Sequence, residues 1–321
     1  RGDWACGTVG GVNTRREHGL FGATLDDGRR MTLLATLDAT LEREGRRVDL
    51  ASHQFTGARH PEGYRLCTLF VSDPFPEWRC EFEGGTLTRR VFLPRGRRMA
   101  VCAWTLDAGS GTGWTLRVRP LFAYREAEAL TRANPDCNMA LRDEVEGCAM
   151  TPYPGCPEFR LRHPGGRRRY DPLWYHGFRH TFDAAAGRPS DEDFFTPCEI
   201  AYPLTPGATV YLAAGLELGD APAELEARER ARRADVRLPT PEPDPLAALP
   251  ARVAECFVEE GHSDGVRLIL RRLGGEGGAN REVWIALPGV LLHSRRTAEA
   301  RALLAGALDR LTRGGGVGDE A

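Results

Sequence analysis

Four polar side chains of ligand-binding types lie close together near the amino terminus: Asn13, Arg15, Arg16 and His18. Guanidinium, amide and imidazole groups can all hydrogen-bond to an oxygen-rich ligand. On strand-like alternation, Arg15 would face away from Arg16 and His18. Two interpretations are open: the segment projects these groups toward a ligand pocket or a domain interface, or it is a turn held by a buried polar network. We favour the network.

Two other groups of residues have functional and structural interpretations. His60, Glu62 and Tyr64 are of types found in metal or acid–base sites, but we favour a turn closed by hydrogen bonds. The aromatic side chains between 174 and 178 either stack on the flat face of a ligand or pack in the core, which we favour. The sequence has no phosphate-binding loop, dinucleotide fingerprint, HExxH or GxSxG motif. We therefore predict no metal and no cofactor.

Composition excludes several function classes. The chain has 321 residues, 41% of them hydrophobic, and a formal charge of -2, so no basic excess is available to bind a nucleic-acid backbone. No apolar run approaches the roughly 20 residues of a membrane-spanning helix. The nine cysteines are an odd number without CxxC pairs, which predicts reduced, buried thiols and a cytoplasmic protein. Nothing in the sequence indicates an oligomeric state.

The elements that must position these residues are strands over most of the chain. Residues 1–218 contain short runs that alternate apolar and polar side chains, typical of strands with one buried face. Residues 78–83 and 87–93 are joined across Gly84–Gly85, and residues 99–106 and 114–121 follow. Many strands at near-regular spacing without intervening helices predict a mainly β fold, a large antiparallel β-sandwich.

The pattern changes after residue 218. Residues 223–235 carry glutamate–arginine pairs at helical spacing, and a proline-rich run follows, so 219–245 is predicted to be a helical and proline-rich linker. Helices are then expected at about 282–293 and 298–311. Too few helices follow to close a helical domain, so we expect 246–321 to be the beginning of one that is truncated.

Motifs along nearly the whole chain resemble those of the bacterial and archaeal type of glycogen debranching enzyme. GTVGGVNTRREHGL at 7–20 is similar to the family's opening GTVxGxNTRRYHGLL, with Glu17 in place of tyrosine. HPEGY at 60–64, DPFPEW at 73–78 and IALPGVLL at 285–292 resemble further family segments in the same order. The resemblance implies a β-sandwich followed by the first helices of an incomplete α/α toroid.

The resemblance also implies a chemistry and a partner. The family hydrolyses α-1,6-glucosidic branch points in glycogen, so the expected partner is an α-glucan. Toroid glycosidases of this kind generally invert the anomeric centre, using one carboxylic acid and one carboxylate. By resemblance both lie downstream of the IALPG helix, so no catalytic residue is expected in this chain, which would be an incomplete or inactive fragment. The alternative is a non-catalytic α-glucan-binding or interaction module.

One edge of a sugar pocket is also expected by resemblance. The family has an arginine–aspartate pair before the IALPG helix, and Arg281 and Glu282 can be placed on it. Arginine can donate to two sugar hydroxyls and a carboxylate can accept from two. The family's aromatic residues are missing here, and the alternative for Arg281 and Glu282 is a solvated helix start with an acidic first turn. The substrate-binding residues we predict are therefore Arg281, Glu282, Asn13, Arg15, Arg16 and His18.

Overall fold

The structure is a computed structural model. It describes residues 3–234, 258–261 and 265–268, together with 297, 298, 300, 301, 304 and 305. The chain divides into two compact units, Asp3–Ala231 in one and Arg1–Gly2 with Arg232–Ala321 in the other. Most of the described residues belong to the unit Asp3–Ala231.

The unit Asp3–Ala231 consists mainly of antiparallel strands, and this confirms the predicted mainly β fold. The strands in chain order are β1 Trp4–Cys6, β2 Gly19–Thr24, β3 Arg30–Arg43, β4 Arg46–Asp49, β5 Ser52–Phe55, β6 Ala58–Glu62, β7 Cys67–Val71, β8 Glu77–Phe82, β9 Gly85–Phe92, β10 Met99–Leu106, β11 Thr115–Glu126, β12 Arg142–Glu144, β13 Gly147–Met150, β14 Phe159–Arg162, β15 Arg167–Arg179, β16 Asp191–Pro203 and β17 Thr209–Gly215.

These strands form two sheets in a sandwich-like arrangement. The nine-stranded sheet has the order β1-β2-β3-β11-β16-β15-β5-β6, with β4 also paired to β3. The eight-stranded sheet has the order β12-β13-β14-β17-β10-β9-β8-β7. Their inner faces share one core, to which Trp104 of β10, Phe122 of β11 and Phe195 of β16 each contribute a fully buried ring. The two sheets are therefore held together by apolar burial between them.

Several predicted strands are confirmed. The hairpin across Gly84–Gly85 is β8 and β9, and β10 covers residues 99–106 as predicted. The long strand β3 was not predicted, although it pairs with β11 along most of its length. Its residues 33–35 are all buried, because both faces of the sheet are covered at this point. Apolar and polar side chains therefore do not alternate there, and the sequence pattern of a half-exposed strand is missing.

Two helices and a 3₁₀ turn accompany the sheets. The 3₁₀ turn is Gly63–Leu66, α1 is Thr181–Ala185 and α2 is Pro222–Ala234. The last agrees with the predicted helix at 223–235. Leu225 of α2 is buried in a small apolar cluster with residues of the eight-stranded sheet, and Glu226 accepts a hydrogen bond from the Tyr211 hydroxyl at 3.0 Å. Over residues 222–231, this helix therefore packs on the outer face of the sandwich.

The other unit is described only in short pieces. Val258–Gly261 (β18) and Gly265–Leu268 (β19) form an antiparallel pair that the sequence analysis did not predict. Residues 297, 298, 300, 301, 304 and 305 are helical, in the range of the helix predicted at 298–311. The helix predicted at 282–293 lies outside the described residues, and the toroid stays a prediction. None of the described helices is long and apolar enough to span a membrane.

Candidate functional site

The predicted loop near the amino terminus forms a tight turn between β1 and β2. The His18 backbone N–H donates to the carbonyl of Arg15 at 3.1 Å, so residues 15–18 turn back on themselves. The strand-like alternation used for these residues is therefore wrong. Arg16 and His18 do point inward, but Glu17 is also buried, because a turn does not alternate its side chains as a strand does.

A buried ionic network lies beneath this turn. Glu192 of β16 accepts two hydrogen bonds from the Arg125 guanidinium, one at Nε and one at Nη2 (2.9 Å), and is 2.6 Å from His180 Nε2. The Thr131 backbone N–H also donates to Glu192, at 3.0 Å. Burial alone would raise the pKa of Glu192, but the charge of Arg125 and the hydrogen bonds from His180 and Arg125 bring it below its ordinary value. Glu192 is therefore held as a carboxylate with its oxygens occupied.

A bulge in β11 aims Arg125 at this network. The pairing between β11 and β3 shifts register around Phe122 and Arg125. Tyr124 between them has a φ of 50°, a conformation uncommon for a residue with a side chain. Such a bulge redirects the side chains that follow it, and it places the Arg125 guanidinium between Glu192 and the amino-terminal turn.

The network anchors the turn through Arg16. Arg125 Nη2 donates to the Arg16 carbonyl at 2.8 Å, and the Arg16 backbone N–H donates to the Asp183 carboxylate at 2.8 Å. The Arg16 side chain donates to the Glu128 carbonyl at 2.6 Å and lies 3.8 Å from Asp183. Arg16 is thus bound at its backbone and its side chain, and its role in this arrangement is to fix the turn.

Asn13 and His18 also take part in holding the turn. The Asn13 amide donates to the carbonyl of Ala35 at 3.1 Å, which ties the start of the loop to β3. His18 Nδ1 accepts from the Thr14 N–H at 3.1 Å, so the ring is neutral at that nitrogen. Burial, together with the nearby His180 and Arg15, lowers the pKa of His18 to about 4. The buried-network interpretation is therefore supported for both residues.

Arg15 occupies a different environment from its neighbours. Its guanidinium carbon lies 4.5 Å from the centroid of the Phe182 ring, a cation–π contact. Phe182 belongs to α1 and is 58% exposed, and its backbone N–H donates to the Thr14 carbonyl at 2.9 Å. The half-buried Arg15 and the exposed Phe182 therefore form a pair, which we call the Arg15–Phe182 platform, on backbone that the buried network holds in place.

Glu17 is the residue where the sequence departs from the family pattern. Its side chain is 6% exposed, and neither carboxylate oxygen has a hydrogen-bond partner among the described residues. Its backbone carbonyl accepts from Trp4 Nε1 at 3.2 Å. A buried carboxylate without partners is costly, and nothing in the described residues compensates it.

A small cleft, open to solvent, borders the same loop. It mixes polar groups with aromatic rings, and two buried histidines, His53 and His180, line it. The lining residues are Gly11, Asn13, Thr36, Ser52, His53, Gln54, Phe178, His180 and Phe194. Phe178 packs against Phe194 with ring centroids 4.5 Å apart, which supports the core-packing interpretation for Phe178.

The other candidate residues are placed as follows. The Glu62 carboxylate accepts from the Tyr64 hydroxyl at 3.0 Å and from Arg65 Nε at 2.8 Å, and these bonds lower its pKa. This supports the turn interpretation of HPEGY. In the part of the chain that the structure describes, no group of three histidine, cysteine or acidic residues is placed to hold a metal ion. Arg281 and Glu282 lie outside the described residues.

The sequence analysis missed the residues that organise this site. Arg125, His180, Asp183 and Glu192 were assigned no role, and neither was Phe182. Arg125 and Glu192 are 67 residues apart in the chain, and the sequence contains no local pattern that pairs them. The one available signal was the presence of several charged residues in otherwise apolar β-type runs, where burial of a charge requires a partner.

Comparison with known proteins places the chain in a family. No curated protein matches it. A solved structure of a bacterial glucoamylase complexed with acarbose matches at 8% identity with a TM-score of 0.34, and the match covers 72% of this chain and 37% of the glucoamylase chain. The chain thus spans well under half of that protein. The family described as "Glycogen debranching enzyme N terminal" matches residues 1–211. This chain belongs to the family of glycogen debranching enzyme N-terminal domains.

Proposed function

We propose that this chain is the amino-terminal part of a cytoplasmic glycoside hydrolase that cleaves α-1,6-glucosidic branch points in glycogen, and that the Arg15–Phe182 platform contacts the α-glucan. Membership of the debranching-enzyme family supports the first part. The observation that carries the second is a cation–aromatic pair with an exposed ring, in which Arg15 lies on a turn that a buried ionic network holds in place.

The chemistry of the platform suits a glucan. The apolar face of a glucose ring can stack on an aromatic plane, and a guanidinium can donate to two neighbouring hydroxyls. Arg15 and Phe182 offer these two groups side by side. Asn13, Arg16 and His18 then act as positioning residues, because their polar groups hold the turn. Arg281 and Glu282 remain proposed contacts to the sugar.

The carboxylates that cleave the bond are proposed to lie outside the sandwich. Of the buried acids among the described residues, Asp183, Glu192 and Glu199 lie within ion-pair distance of arginines, whereas Glu17 has no hydrogen-bond partner. An inverting glycosidase needs one protonated acid and one free carboxylate that activates water. Carboxylates neutralised by arginine suit neither role, and Glu17 alone would not supply the two carboxyl groups, so in this proposal the sandwich positions the glucan and does not cleave it.

Affinity electrophoresis in glycogen-containing gels tests the platform. We expect the wild-type chain to be retarded relative to a glycogen-free gel, and Phe182→Ala and Arg15→Ala each to reduce the retardation. Arg46→Ala is the matched control, because Arg46 is an exposed arginine paired with Glu83 of the neighbouring sheet. A wild-type chain that migrates equally in both gels would remove the platform from the proposal.

Glucose release from phosphorylase-limit dextrin tests the hydrolysis. We expect the complete product of the gene to release glucose and the chain of 321 residues alone to release none. The alternative function is a non-catalytic α-glucan-binding module, which the pairing of Asp183, Glu192 and Glu199 with arginines favours. Retention in glycogen gels without glucose release from the complete product would favour that alternative and contradict the debranching assignment.

A further inference from the structure

Two cysteines face each other across neighbouring strands at the edge of the eight-stranded sheet. Cys67 of β7 and Cys80 of β8 are partners in the strand register, and their Sγ atoms are 3.0 Å apart. Directly opposed residues in an antiparallel pair have Cα atoms about 4.5–5.5 Å apart, which lies within the range that a disulfide spans. A bond between the two sulfurs therefore needs only a small approach of the side chains.

The position of the pair gives solvent access to one thiol. β7 is the last strand of its sheet, so among the described strands one of its edges has no neighbour. Cys67 is half-buried, and residues 68–71 after it are exposed, whereas Cys80 is buried. A small oxidant can therefore reach Cys67 first, with Cys80 directly behind it.

The surroundings also favour a thiolate at Cys67. The hydrogen bond from Cys80 and the positive charge of Arg89 lower the pKa of Cys67, against the effect of its partial burial. The same hydrogen bond and burial raise the pKa of Cys80. The thiolate is the reactive form of cysteine, so the accessible member of the pair is also the more nucleophilic one.

We propose that Cys67 and Cys80 form an oxidative modification site, at which a hydroperoxide converts the two thiols into a cross-strand disulfide. The Cys67 thiolate attacks one peroxide oxygen, the O–O bond breaks, and the departing oxygen takes up a proton and leaves as water or an alcohol. The resulting sulfenic acid is attacked by the Cys80 sulfur. The S–S bond forms as the Cys80 proton and the sulfenic hydroxyl leave together as water. Two thiols are oxidised and one peroxide is reduced.

A second cysteine pair provides an internal comparison. The thiols of Cys148 in β13 and Cys198 in β16 also lie close enough to shift each other's pKa. They are 1% and 0% exposed in the core between the two sheets. An oxidant in solution reaches them only when the sandwich opens, so in the folded protein the edge pair reacts and the core pair does not.

Peptide mapping of the full chain without a reducing agent tests the proposal. After mild treatment with hydrogen peroxide, we expect two thiols to be lost per chain. Cleavage after arginine should release peptide 66–79, which contains Cys67, linked to peptide 80–89, which contains Cys80. Dithiothreitol should separate them. Cys67→Ser should abolish the link, and Cys156→Ser, a change at another half-buried cysteine, should leave it unchanged.

Three outcomes would overturn the proposal. The first is oxidation of Cys67 to the sulfinic acid in the wild-type chain without any linked peptide. The second is a link between Cys148 and Cys198 that appears before the link at the sheet edge. The third is an unmodified Cys67 at peroxide concentrations that oxidise Cys156. Because each is measured on the wild-type chain, the test does not depend on the folding of a variant.

Discussion

At the scale of single residues, the turn at 13–18 shows how burial separates neighbouring side chains into different roles. Arg16 and His18 are held by hydrogen bonds to neighbouring buried groups, whereas Arg15 lies against an exposed ring. Removing one partner of a buried ion pair typically costs about 3–5 kcal/mol, so a network such as Arg125 with Glu192 resists rearrangement. The half-buried Arg15 is therefore held beside the exposed Phe182 ring by a fixed backbone.

The pH dependence of stability should reveal the buried state of His18. Its pKa is about 4 in the folded chain, below the 6.5 of an unperturbed histidine. Well above pH 6.5 the ring is neutral in both the folded and the unfolded chain, so its titration does not reduce the free energy of unfolding there. As the pH falls from 6.5 to about 4, the unfolded chain binds the proton first, so the free energy of unfolding decreases by at most about 1.4 kcal/mol per pH unit.

Urea denaturation at a series of pH values measures this effect. His18→Gln should flatten the decrease between pH 6.5 and 4, because glutamine can accept a hydrogen bond without titrating. His60→Gln is the control, since His60 is exposed, and its curve should follow that of the wild type. If His18→Gln and the wild type lose stability in parallel, His18 is not the group that titrates.

At the scale of elements, short irregular features within and between strands determine the direction in which functional side chains point. The bulge at Tyr124 turns Arg125 inward, and the 3₁₀ turn at Gly63–Leu66 joins β6 to the edge strand β7. A Cβ on Gly63 would lie 2.3 Å from the backbone carbonyl of Leu50 and 2.7 Å from that of Ala51. Glycine is therefore required in the HPEGY segment by close packing against another backbone.

Gly63→Ala should be destabilising for that reason. Backbone atoms cannot move aside as a flexible side chain can, so we expect a loss of about 1–3 kcal/mol in the free energy of unfolding. The matched control is Gly10→Ala, where a Cβ would meet only Tyr64 Cβ at 3.9 Å. Chemical denaturation measures both variants. An equal effect of the two substitutions would show that the close approach at Gly63 is relieved without cost.

At the scale of the whole molecule, the sandwich extends beyond its last strand to include most of α2. Leu225 is buried with Phe75, which precedes β8, and with Phe92 of β9. The Glu226 carboxylate lies 3.0 Å from Arg90 Nε. The composition of the sequence predicts a domain boundary at residue 218, before this helix. We propose that the stable unit needs the helix as well, because it covers an apolar cluster on the outside of the sheet.

Two shortened chains test this boundary. We expect residues 1–234 to unfold in one cooperative transition, and residues 1–218 to be less stable by about 2 kcal/mol or more, the contribution of burying one leucine side chain. Thermal and urea unfolding followed by circular dichroism measure the difference. Equal stability of the two chains would place the boundary at 218.

The sequence by itself determined the class of fold and the family. Alternation of apolar and polar side chains identified β8 and β9 to within two residues, because a strand with one buried face must repeat every two residues. The apolar run at 99–106 identified β10, which is buried on both faces. Ordered motifs over residues 7–78 identified the debranching-enzyme family, which the match over 1–211 confirms. Both signals are local, and local patterns can be read without knowing which strands become neighbours.

Only the tertiary structure decided which distant side chains meet. Arg125, His180 and Glu192 form one network because β11, β15 and β16 are neighbours in the nine-stranded sheet and a bulge redirects Arg125. Cys67 and Cys80 face each other because of the register of β7 and β8. Register and strand order depend on burial summed over both sheets, and a shift of one residue would turn each side chain to the opposite face.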